Sequence, residues 1–72
     1  MKMIMRVATT RGRKWQVKLR RDTFNSFAVE YYKGGTSQGH MCGLPTEAAG
    51  NAEFDRHVAD SLRYDGIQYI EA

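Results

Sequence analysis

Apolar and polar residues alternate along most of the first half of the chain. Met3, Met5 and Val7 occupy alternate positions with Lys2, Ile4 and Arg6 between them, which predicts a short first strand over residues 1–9. A polar turn follows at Thr9-Thr10-Arg11-Gly12-Arg13. Residues 14–21 alternate again, with Trp15, Val17 and Leu19 on one side and Lys14, Gln16, Lys18 and Arg20 on the other. Such a strand belongs to an antiparallel sheet with one face in water. Turn residues Asp22-Thr23-Phe24-Asn25-Ser26 lead into a third strand, where Phe27, Val29 and Tyr31 alternate with Ala28, Glu30 and Tyr32. Lys33-Gly34-Gly35 ends it, because paired glycines accept positive φ without steric penalty. The pattern then fades. Gly39, Gly43 and Pro45 predict a loop over residues 36–45, with room for a short extra strand around His40–Gly43.

The period changes at Thr46, which reads as a helix N-cap followed by the dipole-complementing Glu47. The helix is expected to run to about Tyr64 and stop at Asp65-Gly66. Its apolar stripe is Ala48, Ala52, Phe54, Val58, Ala59 and Leu62; Asn51 and Asp55 intrude on it and require the rim or partners. Gly50 inside the helix costs about 1 kcal/mol relative to alanine. Ile67–Ile70 closes the pattern as a short strand. The expected fold class is α+β: a small antiparallel sheet of three to five strands with one helix packed on one face, in the order β-β-β-(β)-α-β. The expected core is Met3, Met5, Val7, Trp15, Val17, Leu19, Phe27, Val29, Tyr31, Phe54, Val58 and Leu62.

Composition narrows the function classes. At 72 residues and 42% hydrophobic, residues 1–72 read as a single compact domain that is too small to enclose a deep pocket, so neither catalysis nor a cofactor is expected. The apolar fraction excludes a disordered tail, and the longest strongly apolar run, Met3-Ile4-Met5, neither spans a membrane nor forms a signal-peptide core. Lone Cys42 forms no internal disulfide and fits a reducing cytoplasm.

The net charge of +3 conceals a division. Residues 1–45 hold nine basic and two acidic residues, +7; residues 46–72 hold two basic and six acidic, −4. With the helix on one face of the sheet, the other face and the first hairpin would be positive. Such polarity steers a domain toward an anionic partner. The candidate binding residues are Arg6, Arg11, Arg13, Lys14, Lys18 and Arg20, with Tyr32 as an aromatic neighbour, for phosphate or a carboxylate-rich surface. The acidic helix face, Glu47, Glu53 and Asp60, is the alternative. The same cations also serve simply to solvate an exposed sheet and discourage edge pairing.

Motifs for chemistry are weak. His40-Met41-Cys42 supplies two soft ligands where zinc needs three or four, so no metal site is expected. Lys33-Gly34-Gly35-Thr36 has the wrong order for a phosphate loop. Ser26, Ser37 and Ser61 lack a nucleophile context, and His57 reads as a surface histidine on the solvent side of the helix. Tyr31 is expected to pack; Tyr32 and Tyr64 are candidate exposed anchors.

Two resemblances follow from these segments. Lys14-Trp15-Gln16-Val17-Lys18-Leu19, Phe27-Ala28-Val29-Glu30-Tyr31 and Gly43-Leu44-Pro45-Thr46-Glu47-Ala48-Ala49 resemble the three-strands-plus-helix pattern of AP2-type and integrase arm-binding domains, which implies DNA reading by the sheet face. The run from Lys18 to Gly34 resembles the central hairpin of small phage and mobile-element proteins, among them anti-CRISPR proteins. That implies a non-enzymatic inhibitor in the host bacterial cytoplasm that blocks a defence effector or ribonucleoprotein complex by occlusion. The alternative is a small nucleic-acid-binding domain using a basic sheet face. A homodimer paired through an edge strand at residues 1–8 or 67–70 is a third arrangement.

Overall fold

The computed structural model describes residues 3–23 and 26–72; Lys2 and the Phe24-Asn25 part of the expected second turn lie outside them. Strands β1 (Met3–Thr10), β2 (Trp15–Thr23), β3 (Ser26–Lys33) and β4 (Thr36–Leu44) form an antiparallel meander. Helix α1 (Glu47–Asp60) then crosses one face, and β5 (Tyr69–Glu71) returns to pair with β1. The sheet order is β4-β3-β2-β1-β5. This is the α+β class expected, with the optional fourth strand present at nine residues. Gly39 and Gly43, at φ 135 and 73, lie beside the two irregularities that let β4 follow β3.

Alternation places β2 and β3 correctly. Val17, Leu19, Phe27 and Val29 face the helix and are buried, and Phe54 of α1 joins them. Thr46 caps α1 by accepting from the Ala49 N–H at 3.0 Å. Gly50 has a packing role there. A Cβ at that position would lie 2.8 Å from Leu19 Cδ1, so its bareness lets α1 sit close on β2. The helix ends in a π turn, Ser61–Asp65, stopped by left-handed Gly66 as expected. The wider turn takes Leu62 off the apolar stripe, and it is 54% exposed while Ser61 is buried instead.

Strand β1 departs from expectation. Its register against β2 shifts between Ile4 and Arg6, so Met5 is the extra residue of a bulge. Beyond a bulge the faces exchange. Arg6 and Ala8 pair with Leu19 and Val17 on the helix side, while Val7 pairs with Lys18 on the open face. Ala8 is therefore the buried residue of β1, Met5 packs against the core from its edge, and Met3 is exposed. The bulge brings a guanidinium inward, and Arg6 finds the partners that Asn51 and Asp55 require. It donates to Asn51 Oδ1 at 2.9 Å, Asp55 Oδ1 at 2.8 Å and both carboxylate oxygens of Glu71, and lies 4.2 Å over the Phe54 ring. One side chain thus ties β1, α1 and β5 together.

β5 covers β1 only over Ala8–Thr10, with the Ala72 N–H reaching the Val7 carbonyl, so the Met3–Arg6 part of β1 lies beyond it. The outermost strands of the sheet are β4 and the three-residue β5.

Candidate functional site

The candidate cations separate into two groups. Arg6 is not on the open face, for the register reason above, and its charge is held by Asp55 and Glu71. Arg20 is on the open face, but it is half-buried and ion-paired to both Asp22 and Glu30. Burial pushes the Glu30 carboxyl up, but bonds with Arg20 and Tyr32 outweigh it and hold it below its ordinary value. Tyr32 is half-buried rather than an exposed anchor, with Lys18 Nζ 5.1 Å from its ring. Lys18 also faces Glu30 across the ladder. The centre of the open face is therefore electrically mixed.

Arg11, Arg13 and Lys14 form the second group. All three are exposed in the β1–β2 turn, and among the described residues none has an acidic partner. Antiparallel topology puts the β3–β4 turn at the same end of the sheet. The two turns touch, because the Gly34 N–H donates to the Lys14 carbonyl at 2.6 Å. Lys33, exposed and without an ion pair among the described residues, joins the group, its Nζ 5.0 Å from the Trp15 ring. Arg13 has φ 58, a left-handed conformation that costs a non-glycine residue about 1 kcal/mol.

A hollow lies on each side of this cationic end. On the open side, a depression of about 570 Å³ is lined by Thr9, Arg11, Arg13, Gln16 and Ile70 among others. On the helix side, about 410 Å³ lies between Trp15, His57, Ser61, Asp65, Ile67 and Tyr69. His57 is half-buried here, not on the solvent face as expected. Its imidazole lies 4.3 Å from the Tyr31 ring and 5.8 Å from the Tyr69 ring, centroid to centroid. Burial, with Arg56 adding to it, lowers its pKa from the ordinary 6.5.

The acidic helix face is largely consumed internally. Glu53 is buried, accepting from the Tyr31 hydroxyl at 2.6 Å and from Arg56. The Arg56 bonds hold its carboxyl below the ordinary range against the opposing effect of burial. Asp60 pairs with Arg56 at 3.0 Å, and only Glu47 of the three expected residues is exposed and unpaired among the described residues.

The sequence places Arg11 and Arg13 in the turn but Lys14 on the polar face of the second strand, which begins one residue later, at Trp15; nothing in the sequence connects these cations with Lys33, His57 and Tyr69. Only the topology brings those together. Among the described residues no group of three His, Cys, Asp or Glu side chains is placed to hold a metal ion, and no helix is long and apolar enough to cross a membrane. Comparison with family models, curated proteins and solved structures gives no match to the chain.

Proposed function

We propose that the protein is a non-enzymatic binding domain that takes nucleic acid at the cationic end of its sheet. The observation that carries this reading is the cluster of Arg11, Arg13, Lys14 and Lys33 at two touching turns, without acidic partners among the described residues, while Arg6 and Arg20 are neutralised internally. Unpaired cations on adjoining turns suit phosphates, which are spaced along a chain. The left-handed Arg13 supports the same reading, since a guanidinium stands at a position where glycine would be unstrained. Binding to a short oligonucleotide is expected to weaken steeply with salt. Arg11→Gln, Arg13→Gln and Lys14→Gln each reduce the slope of log K on log salt by about 0.7–0.9. Binding that ignores salt, or a slope these changes leave intact, would refute the reading.

A second reading makes the same surface that of an anti-CRISPR-like inhibitor, blocking a host defence complex by occlusion. The separation of charge supports it, because one free cationic end on a small rigid body suits guide RNA or an acidic protein flank. Co-purification with an effector complex and loss of target cleavage would support it; intact cleavage with no binding would count against it.

A further inference from the structure

The helix-side hollow is not needed for contacts to phosphate. Its walls are the Trp15 and Tyr69 rings, the His57 imidazole and the Ile67 side chain, with the exposed Asp65 carboxylate at its lip. Flat apolar walls with a few polar groups suit either a cationic group, held by aromatic faces and a carboxylate, or a planar heteroaromatic ring. Charge decides between them. Lys33 Nζ lies 5.0 Å from the Trp15 ring. A cation entering the hollow meets that ammonium. A flat ring carrying a phosphate meets the arrangement that suits it, with the ring inside and the anion on the turns.

We infer that the hollow between Trp15, His57 and Tyr69 receives an unpaired base of a single-stranded nucleic acid whose phosphates lie on Arg11, Arg13, Lys14 and Lys33. This rests on the nucleic-acid reading and deepens it. A base inside a duplex is stacked on both faces and has none free for Trp15, whereas single strands are held by aromatic stacking beside a cationic track. Asp65 accepts hydrogen bonds from exocyclic amines, so cytosine is preferred to thymine or uracil. Neutral His57 offers one donor and one acceptor to the ring edge.

Trp15 is the chain's single tryptophan, so its fluorescence reports on the hollow directly. The probes are eight-nucleotide strands of dC, dT, rC and rU, a duplex of the same length, and an abasic phosphodeoxyribose strand. The base-bearing single strands are expected to quench Trp15 and to bind at least fivefold tighter than the abasic strand. The duplex binds without quenching, and the DNA and RNA arms show which sugar is favoured. Asp65→Ala changes an exposed side chain, so the variant folds; it removes the acceptor and with it the preference for dC over dT, while tightening all strands slightly through the lost negative charge. Equal affinity for abasic and base-bearing strands with unchanged emission would overturn the inference and leave the phosphate-binding reading standing. An unaltered dC preference in Asp65→Ala would overturn it too. Absence of binding by every strand would sink both.

Discussion

Arg6 illustrates how one side chain's role follows from a register. Its guanidinium reaches three elements, and its stem covers the Phe54 ring. Asp55 and Glu71 are 64% and 44% exposed, so water screens both ion pairs and their share is modest. The bond to half-buried Asn51 and the contact with Phe54 are screened less. Arg6→Met keeps the stem and removes the charge. It is expected to lower the free energy of unfolding by about 1–2 kcal/mol in urea denaturation. An unchanged midpoint would make the cluster a solvated surface group rather than a clamp.

Among the elements, α1 sits close to the sheet because of one missing carbon. Gly50→Ala gains about 1 kcal/mol of helix propensity. The new Cβ would lie 2.8 Å from Leu19 Cδ1 and 3.4 Å from Phe27 Cβ, and both residues are fully or almost fully buried. Overpacking of this kind costs about 1–3 kcal/mol, so the variant is expected to be less stable by about 1 kcal/mol in thermal or urea unfolding. A stabilised variant would show that Leu19 yields freely. The legibility of the elements follows similar local physics. β2 and β3 were readable because their apolar residues alternate with charged ones, and α1 because Thr46 and Gly66 bound it. The bulge at Met5 left no mark in the sequence: Met3, Ile4 and Met5 are all apolar, so nothing there shows where alternation skips. That is why Arg6 and Val7 were expected on each other's faces. β4 was hidden by its two glycines and its lack of β-branched or aromatic alternation. Arg11 and Arg13 were legible as turn cations because they flank Gly12, whereas the hollow is built by β5 meeting the far end of β1, a pairing that no local pattern announces.

At the scale of the molecule, acid acts in two stages. His57 has a folded pKa below its ordinary 6.5, because burial disfavours the imidazolium. The unfolded chain therefore takes up that proton first, and the associated stability, full above 6.5, falls as pH drops through the folded value. Glu30, Glu53 and Glu71 are held below their ordinary 4.5, so their contribution is full above 4.5 and is lost as each folded value is passed. Melting temperature is expected to decline gently below pH 6.5 and steeply below 4.5. His57→Gln removes the first decline, and Glu71→Gln softens the second. A melting temperature constant down to pH 4 would contradict both assignments.

The three-residue strand β5 has a consequence for selectivity. Cations and hollow share one end of the sheet, yet they depend on different parts of the chain. Arg11, Arg13 and Lys14 stand in the β1–β2 turn and Lys33 at the end of β3, whereas Tyr69 reaches the hollow only through the pairing of β5 with β1. Edge strands this short belong to the part of a fold that opens most readily. If the proposed nucleic-acid reading holds, a molecule whose β5 has lifted away would keep its attraction for polyanions and lose the wall that would distinguish one base from another. On that proposal charge attraction and base selection would be separable, and a population of loosened molecules would hold nucleic acid without reading it.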